Sequence, residues 1–169
     1  MYLSNDDIIT ERTSGSLSLV IDPFHNHLLQ PASYDVTFSG YWIKQTHLDE
    51  RGVITGGESG EGVLELKPNR PALVSTRERF EIPANMIARV EGKSSWGRRG
   101  LIVHITAGFI DPGFCGHITL ELYNLSAHTL RINPHEEIAQ ICFAYLNRPA
   151  NPPYEGRYQH QNVLPQEAR

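Results

Sequence analysis

The chain has 169 residues, a formal net charge of −4 at pH 7 and two cysteines. This length fits one domain, which at this size buries about 68–70% of the unfolded chain's surface and needs no disulfide framework. The negative charge argues against a protein that binds duplex nucleic acid, and neither an apolar run of about 18 residues nor an apolar targeting segment is present. We therefore expect a soluble, cytoplasmic protein with no membrane or nucleic-acid partner, in which Cys115 and Cys142 are reduced core residues.

The first predicted element is a short helix. Ser4 is followed three residues later by Asp7, as in a capping box, and Ile8 and Ile9 supply apolar contacts. We predict a helix over residues 5–12 that ends before Gly15.

After this helix the pattern is typical of an all-β protein. Short runs rich in β-branched and aromatic residues recur between Gly, Pro and Asn. They predict strands over residues 17–21, 32–38, 41–43, 63–66, 72–75, 79–82, 86–90, 101–105, 117–123, 129–132 and 138–146. Many short strands at this spacing favour a sandwich, a jelly roll or a barrel.

Two segments lack the strand pattern. Residues 46–62 contain Gly52, Gly56, Gly57 and Gly60 and predict a long mobile loop. From Asn147 the chain is rich in proline and polar residues without periodicity. We therefore expect a single β domain over residues 1–146 and a C-terminal tail over residues 147–169.

The predicted strand over residues 117–123 carries one acid. Ile118, Leu120 and Leu122 alternate with Thr119 and Glu121, so the two sets face opposite sides of the strand. An exposed glutamate on an outer face is usually only solvated. The segment that precedes this strand favours a chemical role instead.

Residues 91–100 combine glycines, two adjacent hydroxyls and three cations. The residues concerned are Gly92, Lys93, Ser94, Ser95, Gly97, Arg98, Arg99 and Gly100. Backbone N–H groups and cations together suit an anionic ligand such as a phosphate chain. The later Asp111-Pro112-Gly113 is a turn signal, so the runs around it fold back on each other. Glu121 could then lie near this segment in the same subunit or in a neighbouring one.

Two other kinds of catalytic site have little support. Zinc-dependent nucleobase deaminases use a Cys-x-x-Cys pair with a further His or Cys, and this chain has no such pair. Ser94 and Ser95 with His104 resemble a Ser–His–acid triad, but no Gly-x-Ser-x-Gly elbow is present. We therefore predict no metal site in the protein, and a structural role for His104 rather than a ligand contact.

Three long motifs follow one another along the chain. They are Glu91-Gly92-Lys93-Ser94-Ser95-x-Gly97-Arg98, Thr106-Ala107-Gly108-Phe109-Ile110-Asp111-Pro112-Gly113-Phe114 and Gly116-His117-Ile118-Thr119-Leu120-Glu121-Leu122. Further matches are Gln30-Pro31-Ala32-Ser33-Tyr34-Asp35 upstream, and Pro153-Tyr154 and Arg157-Tyr158-Gln159-His160-Gln161 downstream. Together they resemble the dCTP deaminase family of the dUTPase-like superfamily. Trp96 and Val163 depart from that pattern, where Leu and Gly are common.

The resemblance implies a mainly β, dUTPase-like subunit, a distorted jelly roll or β-barrel with one or two short helices. It also implies a homotrimer with nucleotide sites at its subunit interfaces. The implied activity is zinc-free hydrolytic deamination of dCTP to dUTP and ammonia in nucleotide metabolism. Mg²⁺ would be bound through the nucleotide triphosphate, and dTTP is a candidate inhibitor.

The resemblance also assigns roles to residues. Glu121 matches the catalytic acid/base, Arg98 and Ser94 match groups close to the chemistry, and Ala107 matches the small residue beside the attacking water. The implied nucleotide-binding positions are Lys93, Ser94, Ser95, Trp96, Gly97, Arg98, Asp111, Thr119, Leu120, Glu121, Tyr154, Arg157 and Gln161. One carboxylate can both deprotonate the water and return a proton to ammonia, and a neighbouring cation would offset the cost of burying it.

Within this set, the resemblance separates sugar, base and tail contacts. Asp111 matches an acid near the sugar, and Thr119 and Leu120 match positions that line the base pocket. Tyr154, Arg157 and Gln161 match tail residues that close on the nucleotide, with Arg157 in place of the more usual Lys. We predict that the tail is a lid, mobile without ligand and ordered over bound nucleotide.

Three alternatives to a dUTP-forming deaminase stay open. The first is a bifunctional enzyme of the same family that also cleaves the triphosphate, giving dUMP and pyrophosphate. The others are a dUTPase only, and a catalytically silent β-protein that binds nucleotide as a sensor. Ser94, Arg98 and Glu121 together count against the last two.

Overall fold

The computed structural model describes residues 1–13, 19–48, 50 and 54–165. The helices are α1 (Asn5–Thr13) and α2 (Ser94–Gly97), with a 3₁₀ turn at Asn26–Leu28. The strands are β1 (Val20–Asp22), β2 (Leu29–Gln30), β3 (Ser33–Leu48), β4 (Ile54–Glu61), β5 (Leu64–Leu66), β6 (Pro71–Glu81), β7 (Met86–Gly92), β8 (Leu101–Val103), β9 (Phe109–Ile110), β10 (Cys115–Asn124), β11 (Leu130–Ile132) and β12 (Glu137–Tyr145). The prediction of a mainly β fold is confirmed.

The strands form one large curled sheet and one small one. The large sheet has the order β8-β10-β6-β3-β12-β7-β9, with β1 on β6 and with β2 and β4 on β3. β5 and β11 form the two-stranded sheet. The largest fully buried side chains include Tyr34, Phe38, Phe80 and Phe143, which come from β3, β6 and β12. The core therefore lies under the central strands, and β10 with β8 lies at one side of the sheet.

Helix α1 begins at the predicted capping box. The Ser4 backbone N–H donates to Asp7 Oδ2 at 2.9 Å, and the Asp7 backbone N–H donates to Ser4 Oγ at 3.3 Å. The hydrogen bond from the Ser4 backbone lowers the pKa of Asp7. Ile8 packs into the core, so the helix is held by its cap and by one buried contact.

The predicted mobile loop over residues 46–62 is wrong for most of its length. β4 occupies residues 54–61 and pairs antiparallel with β3, for example Trp42 with Gly60. A Cβ on Gly60 would collide with the Trp42 ring, and a Cβ on Gly57 would collide with the Lys44 carbonyl oxygen. The glycines thus permit a close approach of two strands, where local composition alone suggests flexibility. Residues 49 and 51–53 lie outside the described part of the chain.

In two places, a pair of strands predicted as separate is one continuous strand in the structure. Residues 32–38 and 41–43 join in β3, because the chain passes through Gly40 at φ +102° with a register shift and then continues to pair. Residues 72–75 and 79–82 join in β6, although Arg77 and Glu78 interrupt the apolar pattern. Strands β2, β4 and β9 and helix α2 were not predicted. The predicted strand over residues 17–21 falls partly outside the described residues, and β1 begins at Val20.

The charge that interrupts β6 is fully buried. Glu78 has no exposed surface and accepts hydrogen bonds from the Thr37 backbone N–H at 2.9 Å and from Thr37 Oγ1 at 2.7 Å. Burial raises the pKa of Glu78, and the hydrogen bonds from Thr37 offset only part of that effect. Cys115 and Cys142 are free thiols, and no helix of the described residues is long and apolar enough to cross a membrane.

Glu78 should make the unfolding free energy depend on pH. Its folded pKa lies above the ordinary value of 4.5, so above that pH the native state holds more protons than the unfolded state. The contribution of Glu78 to the free energy of unfolding therefore falls as pH rises from 4.5 through the folded pKa. We expect Glu78→Gln to flatten this fall, measured by urea unfolding across pH. The quantity compared is the slope of the unfolding free energy against pH, because the amide also changes the hydrogen bonds to Thr37 and so shifts the stability at every pH. An unchanged slope in the variant would contradict the prediction.

Candidate active site

A cavity of about 570 Å³ opens between β10, the β8–β9 connection and the C-terminal tail. Its wall includes Glu121 and Asp111 as acids, and an apolar floor from β6 at Ala72 and Leu73. The remaining lining residues are Gln45, Pro71, Val90, His104, Ile105, Ala107, Phe109, Ile110, Phe114, Ile118, Thr119, Leu122, Tyr154, Tyr158 and Gln161. A largely apolar pocket with a few polar groups is the usual form of a small-molecule site.

Strand β10 presents its acid to the cavity by simple alternation. The half-buried Thr119 and Glu121 alternate with the buried Ile118, Leu120 and Leu122, and of these five residues all but Leu120 line the cavity. Glu121 pairs with Leu73 of β6 in the sheet register, so its backbone is fixed on that side. The predicted orientation of Glu121 agrees with the structure. Leu120 has no exposed surface and does not line the cavity, so this residue belongs to the core.

His104 lies closer to the site than its sequence context predicts. Its Nδ1 atom lies 3.2 Å from the Glu121 backbone nitrogen, and its ring lines the cavity. Because a backbone N–H only donates, Nδ1 must accept, and the neutral ring then carries its proton on Nε2. His104 therefore supports the backbone of Glu121 and also borders the space where a ligand would lie.

The turn after β9 carries Asp111 and the base of the tail. Gly113 has φ +90°, and a Cβ there would meet the Pro153 Cβ at 2.6 Å, so this position favours glycine in two ways. The Tyr154 backbone N–H donates to the Pro112 carbonyl at 2.8 Å, and the Tyr154 ring lies 6.2 Å from the Phe114 ring. These contacts hold Tyr154 against the cavity wall beside Asp111.

The tail lies against the first residues of β10 through polar contacts. Gln159 accepts from the Cys115 backbone N–H at 2.9 Å and donates to the Gly113 carbonyl at 2.8 Å. The His160 backbone N–H donates to the Cys115 carbonyl at 2.7 Å, and Gln161 forms a parallel bridge with Gly116. Gln161 is consequently buried and lines the cavity. The tail thus docks through backbone pairing, which a polar composition does not prevent.

The predicted phosphate segment forms its own surface feature. Lys93 is the N-cap of the short helix α2, and Ser94, Ser95 and Arg98 are exposed. Trp96 is buried, and its Nε1–H donates to the Glu137 carbonyl at 2.9 Å. The Trp96 side chain therefore anchors the segment in the core, and its indole is not available to a ligand.

Lys93 forms ion pairs with two carboxylates. Its Nζ atom lies 2.5 Å from Asp35 Oδ2 and 2.5 Å from Glu137 Oε2. Burial alone would lower the pKa of Lys93, but the hydrogen bonds to Asp35 and Glu137 outweigh it and the pKa is raised. Burial raises the pKa of Asp35, and Lys93 offsets only part of that rise. These residues are far apart along the chain, so no local sequence pattern connects them.

The structure brings together only part of the predicted site. Six predicted residues line the cavity: Ala107, Asp111, Thr119, Glu121, Tyr154 and Gln161. Residues 93–98, Leu120 and the exposed Arg157 do not line it. Sequence reasoning missed Gln45, Phe109 and Phe114 as cavity residues, since nothing local distinguishes them from other strand or turn positions. Among the described residues, no three His, Cys, Asp or Glu side chains cluster as a metal site.

A sequence model of dCTP deaminase-like proteins matches residues 2–146. The chain belongs to the dCTP deaminase-like family. It is 41% identical over 165 residues to a Corynebacterium glutamicum protein named "dCTP deaminase, dUMP-forming", covering 91% of this chain and 86% of the relative. A Mycobacterium leprae protein of the same name is 42% identical over 165 residues, covering 91% and 85%. The resemblance stated from the motifs is confirmed.

Solved structures confirm the dUTPase-like fold of this family member. The 2′-deoxycytidine 5′-triphosphate deaminase of Agrobacterium tumefaciens superposes with a TM-score of 0.69 at 18% identity. The match covers 86% of this chain and 48% of that chain, so the chain spans about half of that protein. A mutant dUTPase from a Staphylococcus aureus phage, described with a structural Mg(II) ion, superposes with a TM-score of 0.55 at 16% identity. That match covers 82% of this chain and 97% of the dUTPase.

Proposed function

We propose that this protein is a bifunctional dCTP deaminase that converts dCTP into dUMP, ammonia and pyrophosphate. The supporting relatives are named dUMP-forming, which favours this alternative over the dUTP product that the sequence analysis put first. The observation that carries the proposal is the position of Glu121, the one family motif acid on β10, on the wall of a cavity large enough for a nucleoside. Two water molecules are consumed, one at C4 of the base and one at the triphosphate.

Glu121 carries the deamination step in this proposal. Its carboxylate takes a proton from a water molecule, and the resulting hydroxide attacks C4 of cytosine. The same carboxyl group then returns the proton to the amino nitrogen, and ammonia leaves as the C4 carbonyl forms and the proton of the C4 hydroxyl passes to N3 of the base. The half-buried setting of Glu121 limits its contact with bulk water, and the hydrogen bond from its backbone to His104 holds the strand at this position on the cavity wall. Ala107 leaves room for the water.

The other cavity residues would bind the nucleoside. Asp111, beside the Phe114 and Tyr154 rings, suits a sugar hydroxyl next to an apolar sugar face. Thr119 lies one residue from Leu120 and two from Glu121 on β10, so it is placed to meet the base. Gln161 and Tyr154 from the tail line the cavity, and Arg157 of the same tail would bind phosphate in the closed complex.

The phosphate-binding residues would come from a second subunit of a homotrimer. Lys93, Ser94, Ser95 and Arg98 do not line the cavity of their own chain, so within one chain the site lacks its cations. The exposed apolar residues Ile102, Ile105 and Phe109 lie around the same region and would be covered by a neighbouring copy. A shared site explains both features.

Mg²⁺ would bind to the protein through the nucleotide. Mg²⁺ keeps several waters and is usually bound through one or two carboxylates and substrate phosphates, so the ion would be carried by phosphate oxygens and water. When bound there, the ion neutralises triphosphate charge. Inhibition by dTTP would follow from a pyrimidine triphosphate occupying the same cavity.

Product analysis tests the proposed function. The full-length protein is incubated with dCTP and Mg²⁺, and dUTP, dUMP and pyrophosphate are separated over time. We expect dUMP and pyrophosphate in equal amounts without accumulation of dUTP. Added dUTP should also be cleaved. Accumulation of dUTP alone would identify a monofunctional deaminase. Cleavage of dUTP without deamination of dCTP would identify a dUTPase. If neither dCTP nor dUTP is turned over, the protein would be a nucleotide sensor.

A further inference from the structure

The two carboxylates that hold Lys93 differ in their access to solvent. The side chain of Asp35 is 4% exposed, that of Lys93 is 18% exposed and that of Glu137 is 41% exposed. Asp35 also accepts a hydrogen bond from Gln30 Nε2 at 3.0 Å. Asp35 is therefore the buried, fixed partner of Lys93, and Glu137 is the partner that a ligand in solvent could replace.

The backbone of Glu137 is fixed even though its carboxylate is accessible. Its carbonyl oxygen accepts the Trp96 Nε1–H at 2.9 Å, inside the phosphate segment itself. Displacing the carboxylate from Lys93 would thus require only a rotation of the Glu137 side chain. The segment and strand β12 would keep their positions.

The charges around Lys93 disfavour the binding of an anionic ligand. One ammonium faces two carboxylates, so this cluster carries a net negative charge beside Ser94, Ser95 and Arg98. A triphosphate that approached this surface would meet a cation that is already neutralised. A phosphate oxygen could take the place of the Glu137 carboxylate on Lys93, since both are anionic acceptors of the same kind.

We propose that Glu137 is an internal competitor of the triphosphate, whose carboxylate occupies Lys93 until a phosphate group displaces it. Glu137 thereby sets the affinity of the phosphate segment and favours ligands with enough charge to complete the exchange. A triphosphate completes it more readily than a monophosphate, so the exchange also lets a dUMP product leave. This inference rests on the proposed function, because it takes residues 93–98 as the phosphate site.

The experiment compares Glu137→Gln with a matched control, Glu136→Gln. Both variants remove one negative charge at adjacent positions, but the Glu136 carboxylate accepts from Asn133 Nδ2 at 2.8 Å instead of holding Lys93. Inorganic tripolyphosphate is the probe, and its Kd is measured by calorimetry with the full-length protein. We expect Glu137→Gln to lower that Kd about fivefold, the scale of a partly exposed ion pair, and Glu136→Gln to leave it within about twofold.

Further readouts separate the competing explanations. Glu137→Ala should tighten tripolyphosphate binding as Glu137→Gln does, and added salt should reduce the difference from wild type. An unchanged or weaker affinity in both Glu137 variants, with melting temperatures near that of wild type, would overturn the inference. Tripolyphosphate binding needs no turnover, so dCTP turnover by the wild-type protein, measured in parallel, tests the proposed function separately.

Discussion

Glu121→Gln is expected to lower the rate of dCTP deamination about 10³-fold or more while dCTP binding stays within a few-fold of wild type. The amide keeps the shape of the side chain on β10 but cannot take a proton from water. The hydrogen bond between the Glu121 backbone N–H and His104 does not involve the substituted group, so the strand and the cavity should be preserved. The measurements are single-turnover ammonia release and calorimetric binding of dCTP.

Glu65→Gln is the control for this substitution. Glu65 is an exposed acid on β5 that pairs with Arg131 at 3.3 Å, outside the cavity. Turnover by Glu65→Gln should equal that of wild type. A Glu121→Gln protein that retains activity within about tenfold of wild type would show that another group is the acid/base.

Mixing variants tests whether the site is shared between subunits. Arg98→Ala should also be strongly impaired, because it removes a cation from the phosphate segment. If Glu121 and Arg98 of one site come from different subunits, mixed oligomers of Glu121→Gln and Arg98→Ala contain some sites with both native residues. Partial recovery of activity on mixing is therefore expected, whereas no recovery would place both residues in one subunit.

Removal of all residues after Ala150 is expected to reduce dCTP turnover about 10²-fold or more and to leave the fold and the proposed trimer intact. The described strands end at Tyr145, so truncation removes no strand, and among the described residues the one bridge that it takes from the sheet is the pairing of Gln161 with Gly116 at the start of β10. It does remove Tyr154 and Gln161 from the cavity wall and leaves the nucleoside open to water. Kinetics, circular dichroism and light scattering measure the three expected results.

A pair of point variants separates docking of the tail from its mere presence. Gln159 bonds to Cys115 and Gly113 of the body, whereas Asn162 Oδ1 accepts from the backbone N–H of Leu164 within the tail. Gln159→Ala should therefore impair turnover and Asn162→Ala should not. Normal kinetics for the truncated protein would show that the tail is dispensable.

Local sequence pattern predicted much of the architecture and the position of the acid. Strict alternation in residues 117–123 put Glu121 opposite Leu120, because successive side chains of any strand face opposite sides. The Ser4 and Asp7 pair predicted the start of α1, because a capping box is closed within four residues. The ordered motifs resembled those of the dCTP deaminase family, and the family model that matches residues 2–146 confirmed it.

Long-range contacts decided what local pattern could not. β4 forms in a glycine-rich stretch because β3 offers it an unpaired edge, and this depends on a partner strand rather than on its own composition. Glu78 is buried because Thr37, 41 positions away, satisfies its carboxylate. The same is true of the tail, which docks through hydrogen bonds that Gln159 makes 44 and 46 positions away.

The residues of the candidate site also fall into those that local sequence pattern predicted and those that only long-range contacts bring together. The sequence by itself determined that a glutamate on a strand, a turn acid and a cationic, glycine-rich segment belong to one nucleotide-binding family. Only the tertiary structure decided that Glu121 and Asp111 share a cavity with His104, and that Lys93 is bound by Asp35 and Glu137. The physical reason is that an ion pair depends on which side chains meet in space, and Lys93 meets carboxylates that are 58 and 44 positions away in the chain.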